Sequence, residues 1–536
     1  MTTTTAKPKR KYFLNRPILA IVAIIACTML GWLGYYAYLD WADARALNEY
    51  LVQLEEREPN WRERVYGKPP TEAVTEADKQ LRELNKLTES DMEAWNIYRS
   101  AYFAGMIQNP LEPAALFTVE QEEYLKWVNE QYKKMLEKSH VLESENIIPY
   151  YFDASLPYEK MQAAGYSLFG DTYTNHEFIE LQFFLALQQN DSKQAVTSLI
   201  RLIKERRRKH FPGMMNQVNI HPGYVERLLN MTQPDDATLQ KLQAALTQYL
   251  EESPQQFILI GTTLRLLSKY LDELPHADFN YRDLQHGLFQ WVMDKDSVLR
   301  QDWLKPVFVW LANTKIKNMF RRSAHLKLKI YQLSEAVESL AALPETRRWP
   351  TWKQYASAKN IAFRMEDMMK QKPPASNFFP EGLQYLLYPY LYSVTSCIEK
   401  QAMHQAALTA VIAEQYRHKH GRFPQSWAEL VPEYFPAPLL DPFTGKPLII
   451  HTSEAGILVY SLGPDEIDHE GKNRNTGHHW FAGYGYPRSF LGNLAIQVNV
   501  PSQRRLPPIT LKQDAIDELN KWKAHEAAKK LKQNEK

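Results

Sequence analysis

A mainly α chain is the fold class this sequence predicts, with a transmembrane helix at its amino end, an irregular helical-hairpin body and a small α+β carboxy-terminal module. Three observations carry that reading. Residues 17–39 contain no charge; segments with apolar positions three and four apart follow one another up to about residue 413; and near residue 420 the texture changes to prolines, glycines and aromatics around short β-branched runs. The expected divisions are a basic tail (1–16), an anchor (17–39), an exterior helical domain (40–399), an α+β module (400–500) and a linker with a charged helix (501–536).

The first element is the anchor. "PILAIVAIIACTMLGWLGYYAYL" is long enough as a helix, about 35 Å, to cross a hydrocarbon core of about 30 Å. Lys7, Lys9, Arg10, Lys11 and Arg16 precede it with no acid among them, whereas Asp40, Asp43, Arg45 and Glu49 after it are mixed in sign. The positive-inside rule therefore places the tail in the cytoplasm and the remainder across the membrane, with Trp32, Tyr35, Tyr36, Tyr38 and Trp41 as the aromatic belt on the far side. A cleaved signal peptide has a shorter apolar core. Ile24, Ile25, Ala26 and Cys27 loosely match a lipidation box, but the apolar run continues to Leu39, which a lipidated terminus does not need. No second span of comparable length follows, since "AALTAVIAEQY" is too short.

The body comes next. "WADARALNEYLVQLEER" continues the anchor as a helical stalk, and the proline-containing stretch 59–73 breaks it. Ser90 is an N-cap candidate ahead of "DMEAWNIYRSAYFAGMI". Thr118 with Gln121 has the spacing of a capping box. "TNHEFIELQFFLALQQNDSKQAVTSLIRLIKERRRK" reads as a helical hairpin whose halves meet at Asn190 and Asp191, a turn and an N-cap. Later segments share this texture without a fixed period, so no repeat array is predicted.

Composition narrows the function classes. The chain has 536 residues and a net charge of +2 from 64 basic and 62 acidic side chains, so no long-range field draws it to nucleic acid. The densest basic run, Arg206 to Lys209, reads as a solvated helix end. The two cysteines, Cys27 and Cys397, exclude a disulfide framework. Metalloprotease, nucleophile-elbow, phosphate-loop and dinucleotide signatures are all missing from the sequence. Ser167 lies in "GYSLFG", one residue too long for an elbow, and His176 and Glu177 sit at a helix start.

The last region, "HGRFPQSWAELVPEYFPAPLLDPFTGKPLIIHTSEAGILVYSLGPD", follows a helix at 401–416. Gly421 suits a left-handed C-cap and Pro424 forbids continuation. A short helix capped by Ser426, a turn at "DPFTG" and two strands joined at "SEAG" complete a helix packed on a small antiparallel sheet. "HHWFAGYGYPRSFLGNLAIQVNVP" offers further strand, "SQRRLPP" a linker, and the lysine-rich end a mobile helix. His418 and His420, with His451, His478 and His479 downstream, make a zinc site conceivable, but alternate positions at a fraying helix end rarely share one metal.

The order of helix, "HGRFP", "ELVP", "DPFTGKPL" and "YSLGPD" resembles the globular domain of the major pseudopilin of type II secretion systems. The resemblance covers residues 400 to about 480. It implies a calcium site in the loop after "SLG", with the Leu462 carbonyl and the Asp465 and Asp468 carboxylates as ligands and Glu466, Glu470, Asn473 or Asn475 as further donors. The sequence departs from that family in lacking a prepilin-peptidase site and a glutamate in the amino-terminal apolar stretch, so a fibre subunit is not expected. His469, Lys472 and Arg474 also stand in a loop the family fills with acids and glycines. The whole layout resembles membrane-anchored bacterial proteins with a helical body and this ending.

The resulting expectation is a single-pass protein of the bacterial inner membrane whose bulk is periplasmic. It would act as a non-catalytic scaffold binding other envelope proteins, in secretion or pilus-like machinery, with calcium as the one cofactor suggested and no nucleic-acid partner. The competing expectation is an envelope enzyme acting on glycans or peptidoglycan, with two carboxylates of the helical domain as acid and base.

Overall fold

The computed structural model describes residues 16–61, 114–127, 129–130, 179–205, 223–270, 323–359, 381–471, 493–508 and 513–534. In chain order the main helices are α1 (Arg16–Arg57), α2 (Ser192–Glu205), α3 (Gly223–Met231), α4 (Asp236–Glu252), α5 (Gln255–Tyr270), α6 (Ser323–Ser339), α7 (Glu345–Ala358), α8 (Glu381–His420) and α9 (Gln513–Asn534). Strands β1 (Ile449–Ser453), β2 (Gly456–Ser461) and β3 (Leu494–Asn499) lie between α8 and α9. Among the described residues the protein is mainly helical with one small sheet. Ser90, Ser167, His176, Glu177, the run 206–209, Asn473, Asn475, His478 and His479 lie outside the described residues.

Two compact units divide the chain: Met1–Trp61 with Ser268–Tyr331, and Arg62–Leu267 with Gln332–Lys536. In the first, the anchor stretch and the stalk form one continuous helix, α1. Its far end is fixed by Leu54, which is buried, by Tyr50 and Trp61 against the Tyr331 ring, and by Asp43 against His325 at 3.3 Å. Judged on the described residues alone, no helix is long and apolar enough to cross a membrane, and most side chains between 16 and 33 lie outside that description.

Helix α8 is the spine of the second unit. The sequence reading starts this helix at 401; it begins at Glu381, so the boundary expected at residue 400 falls in its interior. Residues 401–414 are buried on every side, as expected of a helix running through a core. Ala402, Ala406, Ala410 and Ala413 keep its surface low, which lets α4, β2 and β3 come close. Gly421 ends it at φ +73°, donating its N–H to the Arg417 carbonyl, as the sequence predicts.

Local capping follows the sequence elsewhere too. Thr118 and Gln121 exchange side-chain bonds with each other's N–H (3.2 and 2.9 Å), a complete capping box. Asn190 takes a left-handed turn at φ +59° and Asp191 accepts the Gln194 N–H, starting α2. Ser426 differs: it makes no side-chain cap, and the segment after it is a single 3-10 turn, Trp427–Glu429. The Glu429 carboxylate takes the Gln425 N–H and the Arg422 guanidinium instead. Between α5 and α6 the chains approach so closely at Gly261 that a Cβ would stand 2.3 Å from Glu338 Cγ. Arg265 bonds Ser334 and Glu338 beside that contact.

The sheet is antiparallel in the order β1-β2-β3, with Ser453 opposite Gly456 across the two-residue turn and Val459 opposite Ile496. Three strands this short need a partner layer, and α8 supplies it. The outer edge of β3 is closed by side chains of α3. Glu226 accepts the Gln497 N–H (3.0 Å), while Asn230 accepts from Asn499 N–H (2.8 Å) and donates to the Gln497 carbonyl (2.7 Å). Two residues one helical turn apart thus do the work of a fourth strand.

Residues 504–506 are no loose linker. Arg504 reaches into the core and binds the buried Glu414 of α8 with two parallel bonds of 2.7 and 2.8 Å. Arg505, at φ +53°, donates to the carbonyls of Leu187, Gln188 and Met231, the last residues of two helices whose carbonyl ends favour a cation. Leu506 then pairs in parallel with Ala115. Helix α9 is likewise held, by Leu519 and by Trp522 packed on Tyr124 and Trp127.

Burial by itself would push the Glu414 carboxyl up, but hydrogen bonds from Arg504, His418 and Arg417 outweigh it and hold the group well below the usual carboxylate range. Glu414 in turn raises the His418 imidazole, with help from Asp236 at 2.6 Å. Glu414 therefore contributes stability that is complete above its ordinary value of 4.5 and is lost as pH falls below it. His418 contributes stability that is complete below its ordinary value of 6.5 and is lost as pH rises through its higher folded value. Stability to urea is expected to peak between these two values, with His418→Phe flattening the alkaline side. Arg504→Met, which removes two charge-assisted bonds from a buried carboxylate, should cost about 2–4 kcal/mol, and Glu414→Leu in the same chain should recover part of it. Equilibrium unfolding measures both.

Candidate functional site

The site is assembled around one buried acid. Asp441 starts the "DPFTG" turn: its main chain accepts from Gly445 N–H and donates to the Lys446 carbonyl, and Gly445 takes φ +69° to allow the reversal. Its carboxylate accepts the Phe443 N–H (2.9 Å), the Thr444 hydroxyl (3.2 Å), the Ser461 hydroxyl (2.8 Å) and the Leu462 N–H (3.1 Å). The first two bonds close the turn; the other two staple it to the end of β2. Burial pushes the Asp441 carboxyl up, against the pull of these donors. The co-occurrence of an Asp-Pro turn with "SLG" thus has a physical basis: the serine and the next N–H are donors for the aspartate.

The loop beyond Leu462 closes around Asn493, which is fully buried. Its amide oxygen accepts from His469 N–H (3.1 Å) and Gly471 N–H (3.0 Å), and its nitrogen donates to the carbonyls of Leu462 (3.4 Å) and Ile467 (3.1 Å). The acids point elsewhere. Asp465 accepts from Ile467 N–H and contacts the His469 ring at 3.0 Å, whereas Asp468 accepts from Glu470 N–H (2.7 Å) and the Tyr460 hydroxyl (3.2 Å). Burial, with Asp468 beside it, pushes Tyr460 up to about 12.

Calcium takes six to eight oxygens at about 2.3–2.6 Å. The resemblance implies Leu462, Asp465 and Asp468 as its ligands; here each is bound to a different protein donor, and the Asn493 amide gathers the backbone groups of the loop. In this structure all three are engaged by protein groups, with which an ion would compete. Among the described residues no three His, Cys, Asp or Glu side chains are grouped to hold a metal. His418 engages Glu414 and Asp236, and His420 stacks on Tyr416.

Beside this loop lies a cleft of about 660 Å³ between α7 and the "DPFTG" turn. Trp349, Lys353, Thr444, Lys446, Leu462 and Glu466 line it. The Trp349 ring is buried edge-to-face on Phe443, centroids 5.1 Å apart, which fixes the direction of its N–H. That N–H (3.0 Å) and the Lys353 ammonium (2.7 Å) both donate to one oxygen of Glu466. Glu466 sits at φ +59°, a left-handed geometry that costs about 1–2 kcal/mol for a residue with a Cβ. Its ion pair with Lys353 is two-fifths exposed and so returns only about 0–1 kcal/mol. With the Trp349 N–H bond to the same charged oxygen added, the contacts exceed the strain by on the order of 1 kcal/mol.

Of these residues the sequence reading singles out Leu462 and Glu466. Trp349, Lys353, Lys446 and Asn493 carry no local signal, since each acquires its role from a segment far away in the chain. No protein-family model, no curated protein and no solved structure matches this chain.

Asn493→Leu should destabilise the protein by about 2–4 kcal/mol in urea, because four backbone groups of the loop lose their partner. The calcium implied by the resemblance is tested by melting: a rise of several degrees in millimolar calcium that Asp465→Asn abolishes supports it, and an unchanged melting temperature removes it.

Proposed function

We propose that the protein is a membrane-anchored, non-catalytic scaffold of the bacterial envelope. Residues 17–39 hold it in the inner membrane with the basic tail in the cytoplasm, and the helical body and pseudopilin-like module lie on the periplasmic side. The charge asymmetry around 17–39 supports this, as do the described apolar side chains of α1 that face outward, among them Ile24, Leu30, Tyr35, Tyr38 and Trp41, all more than half exposed. The partners are other envelope proteins, in secretion or pilus-like machinery.

One observation carries the scaffold reading: the buried and half-buried acids described above are spent on construction. Glu414 binds two arginines, Asp441 staples a turn to a strand, Glu226 closes the edge of β3, and Glu338 holds Arg265. A glycan hydrolase needs two carboxylates directed at a sugar across an open site. The cleft beside Trp349 is instead an open recess with mixed charge on a rigid frame, the form of a recognition surface.

Two measurements test this. A phosphatase fused to the carboxy terminus should be active in intact cells and a fluorescent protein there dark; the opposite pattern would end the anchored reading. A photoreactive amino acid at Gln354, on the cleft rim, should give a discrete protein adduct in cells, and one at Glu251 on α4 should not. Equal labelling from both positions would remove the cleft from the proposal.

A further inference from the structure

We propose that Glu466 is a built-in occupant of the cleft, and that an acidic segment of a partner protein takes its place. This rests on the reading of the cleft as a partner-binding surface and names what that partner presents. The cleft already holds a carboxylate. Two donors from different side chains, the Trp349 indole N–H and the Lys353 ammonium, converge on a single Glu466 oxygen at 3.0 and 2.7 Å. Both donors stand on α7, one turn apart, and the buried Trp349 ring is locked against Phe443. This wall is preformed, so what it recognises is set before any partner arrives.

The opposite wall is the one able to move. Glu466 is exposed, left-handed, and at the end of a tight turn whose own bond runs from its N–H to the Gly463 carbonyl. The chain is fastened on either side of it, at Leu462 by Asp441 and at Ile467 by Asn493. The tip can therefore swing out without loosening the turn or the sheet. Its neighbour Ile467 is already 55 % exposed.

Charge decides the class of partner. Lys446 lines the cleft and has no carboxylate partner among the described residues. With Glu466 withdrawn, the recess presents two ammonium groups, an indole N–H and the Ser357 hydroxyl. A segment carrying two carboxylates meets this set; a basic or purely apolar segment does not. Glu466 then acts as a gate by competition, lowering affinity for weak or wrongly charged segments until a matching acid displaces it.

The test uses the full chain in lipid nanodiscs and a fluorescein-labelled oligoglutamate peptide, read by anisotropy at low ionic strength. Glu466→Ala should bind the peptide about tenfold more tightly than wild type, the gain expected when an internal competitor occupies most of the population. Glu454→Ala, which removes an equal charge from the β1–β2 turn, should change nothing. Lys353→Ala or Lys446→Ala in the Glu466→Ala background should lose the gain, with melting temperatures unchanged. Oligoglutamine should bind none of them. Equal affinity of wild type and Glu466→Ala would overturn the proposal. So would a gain in Glu454→Ala, which marks a general charge effect, or free glutarate binding as tightly as the peptide, which marks a small-molecule site. A Gln354 adduct that persists in cells while oligoglutamate is refused leaves the partner-binding reading standing and removes only the acidic segment.

Discussion

Glu414 and Arg504 are ninety residues apart in sequence and meet as a buried, doubly bonded pair. Much of the second compact unit depends on that contact. Glu414 also takes Arg417 and His418, and His418 reaches Asp236 at the start of α4. From Arg504 the chain passes directly to Arg505, which gathers the ends of two helices, and to Leu506, which pairs with Ala115. A buried carboxylate carries a large desolvation cost unless its lone pairs are filled. Here the filling groups come from different segments, so satisfying one acid draws the spine helix, the strap and α4 to a common point.

The small sheet is finished by the same means. Three strands of five or six residues leave edges and loop ends with unpaired backbone groups. Glu226 and Asn230 close one edge, Asn493 closes the loop after β2, and Asp441 ties the preceding turn to that strand. Side-chain oxygens and amides thus replace the backbone ladder at each place where the sheet stops. The loop after "SLG" is gathered by that Asn493 amide.

That economy bears on function. α7 and the Asp441 turn form two walls of the cleft, and the tip carrying Glu466 forms a third. A recess with fixed walls and one wall held by a modest margin suits selective, reversible recognition, in keeping with the proposed scaffold role.

Features set by neighbours in the chain are legible in the residues themselves. The capping box at Thr118 and Gln121, the turn and cap at Asn190 and Asp191, the end of α8 at Gly421 and the β1–β2 hairpin depend on contacts within about four residues, so composition and spacing decide them. The continuous helix from the uncharged stretch into the stalk belongs to the same group. The strap is illegible at that level: "SQRRLPP" has the composition of a linker, and its arginines gain their roles from carbonyls and a carboxylate about ninety to three hundred residues away. Trp522, Asn493 and the Trp349–Lys353–Glu466 contact are hidden for the same reason. By itself the sequence determined the turns and caps set by near neighbours, because those are local balances of backbone geometry, though not the start of α8 at Glu381. Only the tertiary structure decided which polar side chain satisfies which buried group, because that choice depends on which distant segments the core brings within hydrogen-bonding distance.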